Sequence, residues 1–90
     1  MDMQKILEYR NSRNRFCQQI GITVTELSPG YAKVVKTVTE DDLNPVDVAH
    51  GGLFFSMADN AAGSAMAAYG EQAVTLNAQY NFMRAAKAGD

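Results

Sequence analysis

Residues 53–69 form an apolar run interrupted by Asp59-Asn60 near its middle, and no other stretch limits the fold as much. Leu53, Phe54, Met57, Ala58, Ala61, Ala62, Ala65, Met66 and Tyr69 recur at three- and four-residue steps, the period of a helix packed on something apolar. The other side, Ser56, Asp59, Asn60, Gly63 and Ser64, is small and weakly polar, so the helix has no fully wetted face and is expected to be enclosed. Pro45 and Gly51-Gly52 punctuate its start, and Gly70 suits the left-handed position beyond a helix end. At roughly 17 residues the run approaches membrane-spanning length, but a central carboxylate is expensive in lipid, so a buried helix of a soluble domain is expected.

The flanking segments read as helix, hairpin and strand. Residues 2–19 carry Ile6, Leu7, Tyr9, Arg10, Phe16, Cys17 and Ile20 near one side, with Lys5, Glu8, Arg13 and Gln18 on the other, which predicts one amphipathic helix ended by Gly21. From Ile22 the period drops to two, Pro29-Gly30 supplies a turn, and the β-branched run 31–39 follows, so an antiparallel hairpin is expected. Alternation returns over 73–83, with Val74, Leu76, Ala78, Tyr80 and Phe82 on one face and Thr75, Asn77, Gln79 and Asn81 on the other.

Ninety residues amount to at most one domain, and a chain of this size is marginally stable unless copies associate. An apolar fraction of 47% and a charged fraction of 20% describe a globular protein rather than a disordered one. The net charge of −2 leaves no basic field to attract nucleic acid. Lone Cys17 cannot form an internal disulfide, and one His with one Cys gives no basis for a structural zinc site, so neither metal nor cofactor is expected. No charged leader followed by an apolar core is present, which makes the cytoplasm the expected location.

One combination carries chemistry: Asn44, His50, Gly51-Gly52 and Asp59. A helix that begins His-Gly-Gly offers backbone N–H groups at its positive end with no Cβ to hold a ligand away, a place to polarise a carbonyl and stabilise its oxyanion. Asp59 then becomes the nucleophile or the base that activates water. At 1.5 Å rise per residue it lies roughly 10 to 12 Å along the axis from the glycines, too far for one carbonyl to touch both. If they act together they come from different chains, which implies an isologous dimer with two shared sites. Against this stand plainer readings: Asp59 as a satisfied buried acid, His50 as a helix-start residue, Asn44-Pro45 as a turn, and the glycines as a close-packing point.

The arrangement Asn-x5-His-Gly-Gly-x6-Asp, followed by the strand 73–83 and the closing Ala85-x3-Gly89-Asp90, resembles the hot-dog fold acyl-CoA thioesterases of the PaaI-like, phenylacetate-degradation group. The resemblance implies an α+β fold in which a long helix is wrapped by a curved antiparallel sheet, and a homodimer or dimer of dimers with active sites at the interface. It implies hydrolysis of an aryl- or medium-chain acyl-CoA, with Asp59 as nucleophile or base and the Gly51 N–H as electrophile. Asn44 and His50 then orient substrate or water, and Gly52 and Asn77 contact the substrate. Arg84 and Lys87 become candidates for the CoA phosphates. Relatives continue past the Gly-Asp signature for several strands, so residues 1–90 are expected to be a single hot-dog domain lacking its C-terminal strands. A hydratase or dehydratase on the same fold, and a non-catalytic acyl-CoA-binding subunit, are the competing expectations.

Overall fold

A computed structural model describes residues 2–90. The chain runs α1 (Met3–Arg13), α2 (Arg15–Ile20), β1 (Thr23–Ser28), β2 (Tyr31–Val35), a 3-10 turn (Glu40–Asp42) and α3 (Gly51–Ala67). The single N-terminal helix expected over 2–19 is in fact two. Asn14 ends α1 and starts α2, its side chain accepting the Cys17 N–H at 3.1 Å, and competition of this kind between side chain and backbone breaks the helix. Asp2 caps the front of α1 by accepting from Gln4 and Lys5. Because the axis changes at Asn14, Tyr9 and Phe16, expected inside, are each 61% exposed, while Cys17 is buried.

β1 and β2 pair antiparallel across Pro29-Gly30, with Ser28 opposite Tyr31. Gly30 takes φ 80°, which is why the turn needs glycine; a Cβ there would also meet the Tyr69 hydroxyl, but that is the end of an exposed side chain that can swing away. A bulge separates Val24 from Glu26. Asn11 of α1 pairs with the backbone of Val24 in both directions, Nδ2 donating to its carbonyl and Oδ1 accepting its N–H, each at 2.9 Å. That bidentate contact holds α1 to the hairpin.

β2 stops at Val35, short of the expected 39, because the chain turns away there to meet other partners. Val38 N–H donates to the Asp90 carbonyl at 3.1 Å and the Val38 carbonyl accepts from Gly89 N–H at 2.8 Å. The strand expected over 73–83 is not one: the segment makes no ladder with either strand among the described residues, so its alternation has no pairing partner to act on. It lies instead against α3 through aromatic pairs, Phe55 with Tyr80 at 4.4 Å and Phe54 with Phe82 at 6.0 Å between ring centroids.

The core joins Cys17, Ile22, Val38, Ala49 and Leu53. On α3 the buried positions are Leu53, Asn60 and Ser64, followed by Ala68 just past its end, whereas Phe55 and Met66 are exposed. The inward side of α3 is thus mixed: Leu53, with Phe54 and Met57 beside it, packs on the core as the apolar period predicts, while Asn60 and Ser64 from the polar side are buried further along. Its polar groups are met there: Arg10 Nε donates to Ser64 Oγ at 3.1 Å, Ser64 Oγ donates to Asn60 Oδ1 at 3.0 Å, and Asn60 Nδ2 points to Cys17 Sγ at 3.5 Å.

Candidate functional site at the start of the central helix

The loop into α3 is built around Asn44. Its Oδ1 accepts the Val46 N–H at 3.0 Å and the Val48 N–H at 3.3 Å, its own N–H donates to the Val48 carbonyl at 2.8 Å, and Asp47 takes φ 63° to close the turn. Ala49 N–H then donates to the Ala86 carbonyl and His50 N–H to the Asp42 carbonyl, both at 2.7 Å. The helix start is therefore pinned from two directions.

His50 is the N-cap of α3. Its Nδ1 accepts the Gly52 N–H at 2.8 Å, so in the neutral ring the proton sits on Nε2. A Cβ at position 52 would lie 3.0 Å from Nδ1, which makes glycine the residue that lets the imidazole close on the helix. Gly52 thus spends its N–H on His50. Gly51, at the first helical position, has no acceptor for its N–H among the described residues, and it is this amide that remains for a ligand.

Gly51 opens into a cleft of about 400 Å³ that it shares with Asn44, Val48, Phe54, Phe82 and Arg84. The Phe82 ring stands 3.4 Å from where a Gly51 Cβ would be, giving the cleft an aromatic wall next to the free amide. His50 and Gly52 line a separate groove with Phe16, Asp41, Asp42 and Ser56. Asp59 belongs to neither. It sits two turns further along α3, half-buried, and the Thr75 hydroxyl donates to its Oδ1. Asn77 and Lys87 are exposed and the side chain of neither enters the cleft.

The structure therefore brings Gly51, Asn44 and Arg84 together, places His50 and Gly52 behind them, and keeps Asp59 apart on the same unbroken helix. Sequence reasoning gives no site role to Thr75 or Phe82. The alternation that puts Thr75 on the same face as Asn77 is the available signal for the first; for the second, Phe82 reads only as one apolar strand position among five. Among the described residues no group of His, Cys, Asp and Glu could hold a metal ion, and no helix is long and apolar enough to cross a membrane.

Residues 47–90 match the thioesterase superfamily. The architecture, a long helix with an antiparallel sheet laid against it, is that of the hot-dog fold, and the thioesterase-superfamily match falls on the half of the chain that carries α3. Its similarity is to PaaI proteins. It is 38% identical over 71 residues to the acyl-coenzyme A thioesterase PaaI of Escherichia coli, a match that covers 79% of this chain and 51% of that protein. The solved structure of the E. coli PaaI protein from the phenylacetic acid degradation operon superposes with a TM-score of 0.91 at 31% identity, over 98% of this chain and 64% of that one. A mutant form of the phenylacetic acid degradation protein PaaI from Thermus thermophilus gives 0.79 at 34% identity, over 84% of this chain and 65% of that one. The chain spans about half the length of the curated relatives it matches.

Proposed function

We propose that this chain forms the catalytic part of an acyl-CoA thioesterase, splitting an aryl- or medium-chain acyl-CoA into free acid and CoA in the cytoplasm. The observation that carries the reading is the free Gly51 N–H at the positive end of α3, opening into an aromatic-walled cleft with Arg84 on its lining. In this reading the thioester carbonyl accepts a hydrogen bond from Gly51 and the acyl group lies along Phe54 and Phe82. Arg84 and, further out, Lys87 face the CoA phosphates. Asp59 attacks the carbonyl carbon or removes a proton from the attacking water, and the negative charge gathers on the oxygen held by Gly51. The thiolate of CoA then leaves and takes up a proton as the carbonyl re-forms; where Asp59 is the nucleophile, the product is an acyl anhydride on its carboxylate, which water cleaves to the free acid and regenerated Asp59.

The eight-residue separation on one continuous helix supports an assembly of two chains. It holds Asp59 roughly 12 Å along the axis from Gly51, so each site takes Gly51 from one subunit and Asp59 from its partner. Thr75, Asn77 and the Asp59 carboxylate then meet the water side of the thioester, while Asn44, His50 and Gly52 shape the turn that presents Gly51.

Free-thiol release from a panel of acyl-CoAs tests this. Asp59→Asn is nearly isosteric and should lower turnover by about a hundredfold or more with folding retained, since an amide is not a base. Unchanged turnover would remove Asp59 from the chemistry. Mixing Asp59→Asn with Gly51→Pro, each inactive alone, should restore activity in the hybrid dimer, and no recovery in demonstrated hybrids would refute sharing between chains.

A further inference from the structure

The ion pair between Lys36 and Asp42 is enclosed as surface pairs are not: Nζ lies 3.1 Å from Oδ2, with side-chain exposures of 10% and 7%. Exposed pairs contribute little and swing freely, whereas an enclosed pair is costly to desolvate and persists only with good geometry and further hydrogen bonds. Both are present. The same Asp42 Oδ2 accepts the Thr39 N–H at 2.8 Å and the Thr39 hydroxyl at 3.2 Å, and the Asp42 N–H returns to the Thr39 carbonyl at 3.0 Å. The 3-10 turn is thereby locked to the chain just beyond β2.

What the lock holds is the start of α3. The Asp42 carbonyl accepts the His50 N–H at 2.7 Å, and the next amide is that of Gly51. From the geometry we infer that Lys36 and Asp42 are positioning residues for the Gly51 N–H, acting through the Asp42 carbonyl and His50. The inference rests on the proposed reading of Gly51 as the electrophilic donor. An oxyanion donor acts only when aimed within a fraction of an ångström of where charge develops, so a rigid strut from the hairpin to residue 50 bears on the transition state more than on the bound substrate. Neither side chain enters the cleft lined by Gly51.

The test is Lys36→Met, which keeps the aliphatic stem and removes the charge, beside Lys36→Arg, which keeps the charge. Two readouts are taken on the full chain: amide hydrogen exchange, and kcat and KM for thioester hydrolysis. In Lys36→Met, exchange at the hydrogen-bonded amides of His50, Gly52 and Leu53 should accelerate about tenfold while the β1–β2 ladder amides keep their wild-type rates. With the same variant kcat should fall about tenfold with KM within about twofold, and Lys36→Arg should recover most of both. Wild-type exchange at His50, Gly52 and Leu53, acceleration spread equally over the hairpin, or a rise in KM with kcat unchanged would each overturn the inference. Should Lys36→Met not fold, Asp42→Asn carries the same comparison. The exchange readout needs no turnover, so it judges the strut even if Asp59→Asn proves as active as the wild type and the reading of the reaction fails.

Discussion

Asn60 and Asp59 are neighbours with opposite fates. Asn60 is 4% exposed, with its Oδ1 and Nδ2 both engaged inside the chain, while Asp59 emerges half-buried toward Thr75. Replacing Asn60 by Ala removes the acceptor of the Ser64 hydroxyl and leaves a buried polar group unmet, so Asn60→Ala should cost about 1 to 3 kcal/mol in denaturant unfolding. An effect within experimental scatter would mean that the buried chain from Arg10 to Cys17 is energetically idle. Burial also pushes the Cys17 thiol above its ordinary value, and the nearby Asp59 charge adds to the rise, whereas the Asn60 hydrogen bond opposes it. Asp42 behaves in the other sense. The Thr39 backbone N–H, then Lys36, hold its carboxyl below the ordinary 3.8, against the opposing effect of burial. A depressed carboxyl stabilises the fold above its unfolded value and loses that contribution as pH falls through the folded one. Asp42→Asn should therefore be less stable than wild type at neutral pH, with the two curves converging below about pH 3.8, as read by thermal unfolding across pH.

At the level of elements, α3 is the most legible in the sequence and misleading in one respect. Its existence, length and punctuation follow from period, glycines and proline, and Leu53, Phe54 and Met57 pack on the core as the period requires, but the burial of Asn60 and Ser64 does not follow: they pack inside because Arg10, Asn60 and Ser64 satisfy one another, which no count of apolar positions reveals. The hairpin is plain from β-branched alternation around Pro29-Gly30, whereas the break at Asn14 is hidden because a single capping side chain outweighs local periodicity. The strand reading of 73–83 fails because alternation describes a face and pairing requires a neighbour. Of the site, the residues of the motif are readable and their distribution over two grooves is not, since that depends on how the loop 44–50 is tied to Asp42 and Ala86. The turn itself offers a clean check: Gly30→Ala, held at positive φ, should lose about 1 to 2 kcal/mol. A neutral result would mean that the hairpin tip yields without resisting.

Seen whole, the chain is elongated, 44 × 24 × 18 Å with a radius of gyration of 13.6 Å, against roughly 12 Å for a compact chain of this length. The excess goes with apolar side chains left in water, Val74 at 96%, Leu76 at 95% and Met83 at 91% exposed, all on the segment after α3. Exposure on that scale favours association. With sites shared between subunits as proposed, the melting temperature should rise with protein concentration; a concentration-independent value together with a monomeric mass would contradict the shared site.

The mutual hydrogen bonds of Val38 with Gly89 and Asp90 join positions roughly fifty residues apart. The Asn11–Val24 bonds that hold α1 to the hairpin close a far shorter loop, while the Arg10–Ser64 bond between α1 and α3 spans a comparable distance, so the order of events on refolding is constrained. α1 and the hairpin can meet early, while the seam at Val38 has to wait until most of the polypeptide is in place. A probe at that seam should report the slowest phase of the folding trace.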